Sequence, residues 1–340
     1  NAKRHHIRTS SGGPVIQYRA ALGPVAVIAL FFIGTQWSPF EPHPDPIDPP
    51  SSPTGTTSWS DHDWDVFSSV VAGAGEAKLD KLPMGRLMAV IGTSFVGTAY
   101  TPNTLDIPGP ERLVINFRGL DCVTFVENVH ALAVAIKSGA AERLDNRADV
   151  ETEYEQILRT LRYRNGVIDG YTSRLHYFSE WIEENARRQL VTNISKDLGG
   201  IIDSETIDFM SSHPDAYRQL ENLETLKDIQ QIERRISERN RHFVPQDLIA
   251  DIADHIQDGD IIAATSTVSG LDVAHTGLAL WLDDELHLLH APLAGESVQI
   301  SQLTLAERIT SITGQDGIIV ARAHEPGEPG LRNAALATEH

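Results

Sequence analysis

The chain has 340 residues, and its 41% hydrophobic and 22% charged content are ordinary for a globular protein. A formal net charge of -19 leaves little room for a basic surface, which argues against a nucleic-acid partner. The single cysteine, Cys122, excludes an internal disulfide and cysteine-rich zinc sites, so an apolar core must stabilise the fold.

The first 37 residues are typical of an export signal or a membrane anchor. Four basic residues, the last of them Arg19, precede an apolar run from Ala20 to about Trp37, and no acidic residue occurs before Glu41. The run is shorter than the roughly 20 residues of a spanning helix. Because "GTQW" is a poor match to a cleavage site, a cleaved signal and an uncleaved anchor both stay open. We expect an exported protein, periplasmic or anchored in the inner membrane and facing the periplasm.

Residues 38–61 predict a proline-rich linker between this segment and a folded domain. Seven of the 18 prolines lie between Ser38 and Ser60, a density that favours extended polyproline II and forbids regular helix or sheet. Residues 62–324 are predicted to form one domain, and residues 325–340 a flexible tail.

The first half of the predicted domain consists of helices joined by loops. Apolar residues recur at helical spacing in "DWDVFSSVVAGAGE" and "LPMGRLMAVIGTSFVG", which predicts two helices. The next stretch, "TAYTPNTLDIPGPERL", is broken by three prolines and predicts a loop before a short strand, "LVINF". A third helix is predicted from Asp121 to Gly139. Two more are predicted in "DVETEYEQILRTLRYRNG" and around residues 178–188.

Residues 206–240 are charged and have a helical period, clearest in "LENLETLKDIQQIERRISERN". We interpret this segment as a solvated helical insertion. A partner helix of a coiled coil is the alternative, but the apolar stripe is too short to favour it.

The last third of the domain changes to the alternation typical of short strands. Four such runs cover residues 259–267, 274–282, 285–293 and 297–301, and "GIIVARA" adds a final strand. Consecutive short strands with tight turns predict an antiparallel meander. Helices followed by a meander give an α+β fold class.

Cys122 is predicted to lie in the first turn of the third helix, in "GLDCVTFVEN". The unpaired N–H groups and the positive end of the helix dipole favour a thiolate at such a position. A lone free cysteine is equally often a small buried hydrophobe. Position alone therefore leaves a nucleophile and a core residue both open.

Two of the fourteen histidines have a context that suits a thiol nucleophile. A nucleophilic thiolate needs a general base, and the base usually needs an orienting group. His275 opens one predicted strand, His290 closes the next, and a turn at Asp283–Asp284 would bring the two imidazoles to one end of the sheet. A cysteine on a helix with a histidine base and a second polar residue is the constellation of papain-like enzymes.

A zinc site is the competing interpretation, because His287 and His290 have a spacing seen in zinc proteins. On a strand, however, residues three apart point to opposite faces. No acidic residue or third histidine is suitably arranged in the same hairpin. We therefore expect no metal and no other cofactor.

Several segments, taken together and in order, resemble one known family. They span about Phe95 to Leu293 and comprise "VGTAYTPNTL", "LDCVTFVENVHALA", "RYRNGVIDGYTSRLHYFSEWI", "GDIIAATSTVSGLDVAHTGLAL" and "LHLLHAPL". The chain resembles the N-acetylmuramoyl-L-alanine amidase-like branch of the NlpC-type papain-like cysteine peptidases, which cut peptidoglycan. The resemblance implies a papain-like NlpC-type fold, with a helical N-terminal half packed on the β-meander. The usual "GTPY" of the family is "GTAY" here.

The resemblance also implies a role for individual residues. Cys122 matches the nucleophile of the family, His275 its general base, and His290 its third, orienting residue. Asp121 and Tyr100 match polar groups that line the cleft, and Tyr100 is a candidate oxyanion donor.

A second set of residues is expected to contact substrate, because it lies in "TSRLHYF", a stretch particular to this branch. The set comprises Ser173, Arg174 and His176. An internal ion pair is an equal alternative for Arg174.

The implied activity is hydrolysis of an amide in peptidoglycan or its muropeptide fragments. The branch name implies the bond between N-acetylmuramic acid and L-Ala. The γ-D-glutamyl bond to the diamino acid, cut by many NlpC-type relatives, is the alternative. Acyl transfer by the same triad and a non-catalytic, membrane-tethered glycan-binding protein are the other hypotheses. The expected partners are this substrate and, through the N-terminal segment, a membrane.

Overall fold

The computed structural model describes residues 57–293 and 297–327. The predicted anchor segment, residues 1–37, lies outside the described residues, as does most of the predicted linker. Among the residues described, no helix is both long and apolar enough to cross a bilayer. Folded structure starts a few residues before the expected boundary at residue 62, because the Trp59 ring packs 5.5 Å from that of Phe67 and 5.6 Å from that of Tyr154.

The helices occupy most of the first two thirds of the described chain. They are α1 (Asp61–Glu76), α2 (Met84–Ser94), α3 (Cys122–Lys137), α4 (Arg147–Arg162), α5 (Phe178–Arg187), α6 (Phe209–Ser212), α7 (Leu223–Ser237), α8 (Ile249–Ile252) and α9 (Leu305–Ser311). The five predicted before residue 200 are confirmed within a few residues at each end. The short α9 was not predicted, although Thr304 and Glu307 form a capping box at its start.

The strands are concentrated in the last third of the chain. They are β1 (Thr57–Ser58), β2 (Ala99–Tyr100), β3 (Leu113–Val114), β4 (Gly119–Leu120), β5 (Val191–Asn193), β6 (Ile201–Asp203), β7 (Arg241–Pro245), β8 (Ile261–Ser266), β9 (Val273–Leu282), β10 (Glu285–His290), β11 (Gln299–Ile300) and β12 (Gln315–Ala323). The main sheet has the order β11-β10-β9-β8-β12-β7-β6, and β5 also pairs with β12.

The predicted meander is confirmed for β8 to β11, which are antiparallel neighbours in chain order. Asp283 and Asp284 both have positive φ, at 48° and 65°, so a two-residue turn closes the β9–β10 hairpin. The final strand does not extend the meander beyond β11. Instead β12 pairs antiparallel with β8, along the edge of β8 that does not pair with β9. The protein is therefore α+β, as predicted, with an antiparallel sheet larger than the meander alone.

Helix α3 is the central helix, because nearly all of its side chains are buried. It packs against α2, α4 and β9. A helix buried on every side must satisfy its polar groups internally. Accordingly Glu127 accepts from Nε of Arg162 at 2.7 Å and from the indole N–H of Trp181 at 3.2 Å. This packing fixes the position of the N-terminus of α3.

The expectation that residues 206–240 form a solvated insertion is wrong in one respect. The outer face of α7 is charged, but Ile229, Ile232 and Ile236 are buried in a small apolar cluster with Tyr177 and Met210. The apolar stripe of α7 is therefore used within the chain. It fixes the insertion to the segment that precedes α5.

Candidate active site

Cys122 is the first residue of α3, as predicted, and the chain reaches it from a short strand. Strand β4 pairs in parallel with β2, and the approach is so close that a Cβ at Gly119 would clash with Oγ1 of Thr101. Asp121 is the N-cap: one carboxylate oxygen accepts from the N–H of Thr124 at 2.8 Å, and Thr124 Oγ1 accepts from the N–H of Asp121 at 2.9 Å. The capping box therefore fixes the turn that presents Cys122.

His275 and His290 are brought together by the β9–β10 hairpin. Nε2 of His275 lies 2.7 Å from Nδ1 of His290, and the two rings are nearly perpendicular at 82°. A Cβ at Gly277 would lie 2.9 Å from Cβ of His290, so the close approach of the strands requires glycine there. The predicted proximity of the two imidazoles is confirmed. Within the described chain, Nδ1 of His275 forms no hydrogen bond.

The next residue of β9 connects the hairpin to the helix. Oγ1 of Thr276 donates to the carbonyl oxygen of Cys122 at 2.7 Å, and Thr276 is buried. Opposite His275, the β8–β9 ladder shifts register between Ala264 and Thr265. Irregular pairing of this kind commonly re-aims side chains beside active sites.

Cys122 and His275 line the same cavity, which has a volume of about 160 Å³. Its walls come from the start of α3, residues 171–178, the insertion and the start of β9. His290 does not line the cavity and is 1% exposed. Its imidazole is therefore a buried partner of His275, whereas the other two side chains face the cavity.

The pKa values of Cys122 and His275 do not fit the thiolate expected from the sequence. Burial, followed by the charge of Asp121, raises the pKa of Cys122 to about 11, despite its position at a helix N-terminus. Burial and then the cation of Arg308 lower the pKa of His275 to about 3. Burial, the neighbouring His275 and Arg308 together lower the pKa of His290 to about 2. In this structure the resting form at neutral pH is a thiol beside two neutral imidazoles.

Arg174 lines the cavity and is also ion-paired, so both of its expected roles are compatible with the structure. Nη2 lies 2.6 Å from Asp106, and Nε lies 3.2 Å from Glu111. The guanidinium also lies over the ring of Tyr171, 5.1 Å from its centroid. Asp106 and Tyr171 line the same cavity. Arg174 is therefore held rigidly at the cavity wall by two carboxylates and an aromatic ring.

His176 and Ser173, the other residues of the "TSRLHYF" stretch, have different positions. Nε2 of His176 donates to the carbonyl of Tyr171 at 2.8 Å, and this side chain lines the cavity. Burial and then the charge of Arg174 lower the pKa of His176. The hydroxyl of Ser173 donates to the carbonyl of Gly170 at 2.7 Å and accepts from the N–H of Asp169. Ser173 closes a turn and is not part of the cavity lining.

Tyr100 and Asp121 are close to Cys122 but outside the cavity lining. Tyr100 is paired with Leu120 in the β2–β4 ladder. Burial, and then the charges of Cys122 and Asp121, raise the pKa of Tyr100, so its phenol stays protonated and can donate a hydrogen bond.

The insertion supplies part of the cavity wall, which the sequence did not indicate. Phe209, Met210 and Tyr217 line the cavity. The insertion is fixed there by Tyr177, whose hydroxyl donates to Glu233 at 2.8 Å and accepts from the N–H of Met210 at 2.9 Å. No local period signals these positions, because each contact joins segments far apart in the chain.

The alternative zinc site has no support in the described part of the chain. His287 lies on the other side of β10 from His290, and its Nδ1 contacts the carbonyl oxygen of Ser301 at 3.0 Å. Residues 57–293 and 297–327 contain no group of three or more His, Cys, Asp or Glu side chains that could hold a metal ion.

Comparisons with known proteins agree with this architecture. The AmiA-like family model, described as N-acetylmuramoyl-L-alanine amidase-like, matches residues 90–318. A search of curated proteins found no match.

The solved structures include an N-acetylmuramoyl-L-alanine amidase from Bacteroides uniformis, which is 35% identical with a TM-score of 0.66. The match covers 71% of this chain and 99% of that one. A Bacteroides fragilis protein provisionally described as a xylanase is 35% identical over 68% of this chain and 98% of its own, with a TM-score of 0.63. Protein LPG0564 from Legionella pneumophila, 20% identical with a TM-score of 0.56, covers 78% of this chain and 96% of its own, and shares the fold.

The family match covers most of the region in which the fold and the cavity lie, and it includes Cys122, His275 and His290. We conclude that the chain belongs to the AmiA-like, N-acetylmuramoyl-L-alanine amidase-like family.

Proposed function

We propose that this protein is a cysteine-dependent cell-wall amidase with an NlpC-type, papain-like active site. Cys122 is the nucleophile, His275 the general base and His290 the orienting residue. One observation carries the proposal: Cys122 and His275 face the same cavity, and Nε2 of His275 is hydrogen-bonded to Nδ1 of His290 at 2.7 Å. Only Nδ1 of His275 is then left to take the thiol proton.

The proposed substrate bond is the amide between the lactyl group of N-acetylmuramic acid and L-Ala, in peptidoglycan or its fragments. Family membership supports this choice, and so does the amidase from Bacteroides uniformis. The xylanase description of the Bacteroides fragilis protein has less support here, because glycoside hydrolases typically use two free carboxylates. In this cavity Asp106 is paired with Arg174, and the carboxylate of Asp272 accepts from two backbone N–H groups.

The first step starts from neutral groups. A thiol with a pKa near 11 next to an imidazole with a pKa near 3 does not form a resting ion pair. The proton therefore moves from sulfur to Nδ1 of His275 as the sulfur attacks the carbonyl carbon, which is general-base catalysis. The carbonyl oxygen becomes an oxyanion, and a sulfur–carbon bond replaces the sulfur–hydrogen bond.

The oxyanion needs donors near the start of α3. The backbone N–H of Cys122 is in the first helical turn, where N–H groups have no intrahelical acceptor. The phenol of Tyr100, whose pKa is raised by burial and by the charges beside it, is the second donor that we propose.

The second half of the reaction restores the enzyme. The carbon–nitrogen bond breaks, and the amine of L-Ala leaves with the proton held on His275. A water molecule then gives a proton to His275 and its oxygen to the acyl carbon, which releases a carboxylic acid and the Cys122 sulfur. The sulfur regains its proton from His275.

Intact peptidoglycan, the proposed substrate, lies outside the cytoplasmic membrane, so the proposed activity requires export. We propose that residues 1–37 direct export or anchor the protein in the inner membrane, and that residues 38–61 act as the spacer. The basic flank and apolar run support this proposal. A fusion of residues 1–61 to a reporter that is active only after export tests it, and a reporter that stays cytoplasmic contradicts it.

Digestion of defined muropeptides by the parent and by Cys122→Ala tests the activity. We expect the parent to release products and Cys122→Ala to release none above background. A Cys122→Ala protein that hydrolyses at the parent rate excludes the cysteine mechanism. A folded parent that binds muropeptides without cleaving them supports the binding-protein hypothesis instead.

Mass spectrometry of the same digests identifies the bond. The amidase releases an intact stem peptide that begins with L-Ala, whereas the endopeptidase leaves L-Ala-D-Glu on the sugar. Acyl transfer requires an acceptor other than water and gives a conjugate of the acyl group. We expect intact stem peptide and free muramic acid carboxylate.

A further inference from the structure

Arg308 on α9 lies next to the histidine pair and has no carboxylate partner among residues 57–293 and 297–327. Nη2 lies 3.5 Å from Nδ1 of His290, and Nη1 is buried without a hydrogen-bond partner. Burial lowers the pKa of Arg308, and no described carboxylate offsets this effect. Its helix is fixed in place, because Leu305 and Ile309 on either side are buried in the apolar core under the sheet. A partly buried, unpaired guanidinium is costly, so its position calls for an explanation.

The chemistry of the three side chains determines where the protons lie. A guanidinium can only donate hydrogen bonds, so Nδ1 of His290, which faces both Arg308 and His275, is favoured as an acceptor. Nδ1 then carries no proton, and Nε2 of His275 must be the donor in the 2.7 Å hydrogen bond. A neutral imidazole has one protonated nitrogen. Nδ1 of His275 therefore carries the lone pair that the thiol of Cys122 requires.

The far side of His290 does not determine its tautomer. Nε2 of His290 is buried without a partner among the described residues, so neither protonation state gains a hydrogen bond there. The direction of the His275–His290 hydrogen bond is therefore set at Nδ1 of His290 alone.

We propose that Arg308 is a positioning residue that fixes the direction of the His275–His290 hydrogen bond, so that His275 presents a lone pair to Cys122. This inference deepens the proposed function and depends on it for its catalytic meaning. The groups that act on the pair are few: after burial, His275 is affected by Arg308, and His290 by His275 and Arg308. Asp121, on the α3 side, acts on Cys122 and Tyr100.

Nitrogen-15 NMR of the full chain with labelled histidine tests the tautomers without any need for activity. We expect both His275 and His290 to carry their proton on Nε2 in the parent. Arg308→Met should give a mixture of tautomers, and Arg308→Lys, which keeps the cation, should restore the parent pattern. A parent spectrum with the proton on Nδ1 of His290, or an Arg308→Met protein with unchanged tautomers, overturns the proposal.

The pH profile of kcat/KM gives a second readout that a purely structural residue would not move. Loss of the cation favours the protonated imidazole, so the acidic limb of Arg308→Met should move to higher pH by roughly one unit. The plateau should fall roughly tenfold, because general-base catalysis contributes about 100- to 10,000-fold and part of the population stays competent. Arg143→Met removes the same charge from a half-buried arginine that pairs with Glu153 and does not line the cavity. This variant is the control and should leave the profile unchanged.

The proposed function and the proposed role of Arg308 can be contradicted independently. Activity that survives in Cys122→Ala contradicts the proposed function, whereas the tautomer measurement is independent of that result. An acidic limb that stays in place in a folded Arg308→Met protein contradicts the role of Arg308 and leaves the cysteine mechanism intact.

Discussion

The cavity has two groups of lining residues that differ in charge and in construction. The reactive group, Cys122 and His275 with the buried His290 behind it, is electrically neutral because burial raises the thiol pKa and lowers both imidazole pKa values. The second group, which we call the insertion group because three of its members lie in residues 206–240, has a charged centre at Arg174. It comprises Tyr171, Arg174, Phe209, Met210 and Tyr217.

The two groups are also held by different parts of the molecule. The reactive group is fixed by the central helix α3 and the main sheet, whereas the insertion group depends on ion pairs and on the small cluster around α7. This contrast indicates a division of tasks. A neutral, rigid group suits proton transfer during attack, and a charged, polar group suits recognition of a polar substrate.

Replacement of His275, the proposed general base, should have the largest effect on the reactive group. His275→Gln keeps a polar side chain next to His290 but cannot accept the thiol proton. We expect kcat to fall about 1,000-fold with little change in KM, because general-base catalysis of a weak nucleophile is lost. His287→Gln, on the other face of β10, is the matched control and should stay within twofold. A loss below tenfold in His275→Gln would contradict the assignment of the base.

Thiol alkylation tests the neutrality of the same group. Burial raises the pKa of Cys122 from 9.0 to about 11, so the thiolate fraction at neutral pH should be about 100-fold below that of a free cysteine. The rate of iodoacetamide labelling should be correspondingly slow and should increase with pH up to about 11. The same chain unfolded in denaturant is the reference. If the folded chain is labelled as fast as this reference at pH 7, the thiol is not neutral, and the thiolate predicted from the helix N-terminus is supported instead.

Much of the reactive group could be predicted from the sequence because its geometry is local. The capping box between Asp121 and Thr124 marks the start of α3, and Cys122 lies next to the cap. The two-residue turn at Asp283–Asp284 fixes the register of one hairpin, and register alone brings His275 and His290 together. Period and turn chemistry are properties of neighbouring residues, so the sequence expresses them directly.

The resemblance already names Arg174 as an expected substrate contact, but the contacts that hold the insertion group and part of the sheet could not be predicted, because they join distant segments. Arg174 meets Asp106 across 68 residues, and Tyr177 meets Glu233 across 56 residues. The pairing of β12 with β8 likewise follows from the packing of the whole sheet. The pKa of Cys122 differed from expectation for the same reason: desolvation by distant segments outweighs the local helix dipole.

Neutralising Arg174 should separate binding from chemistry. Arg174→Gln removes a cation at the cavity wall, and we expect kcat/KM to fall roughly thirtyfold, mainly through KM. This corresponds to the loss of about 2 kcal/mol from a charge-assisted hydrogen bond to substrate. Steady-state kinetics on a defined muropeptide measures the effect.

Arg164→Gln is the matched control for this change. Arg164 pairs with the buried Glu180 at 2.8 Å and does not line the cavity. Both variants should lower the melting temperature, because each leaves a buried carboxylate without its cation. Only Arg174→Gln should raise KM. Equal KM values in the two variants would assign Arg174 to the internal ion pair alone.

The smallest effect is expected where the insertion is fastened to the cavity. Tyr177→Phe removes the hydroxyl that joins Glu233 to the N–H of Met210, a loss of about 1 kcal/mol. We expect faster amide exchange in Phe209–Ser212 and a roughly fivefold higher KM, because the insertion then opens more often. Tyr154→Phe, which loses a buried 2.7 Å hydrogen bond to Asn128 away from the insertion, should lower stability similarly without changing KM. If both variants raise KM alike, global stability and not the insertion controls binding.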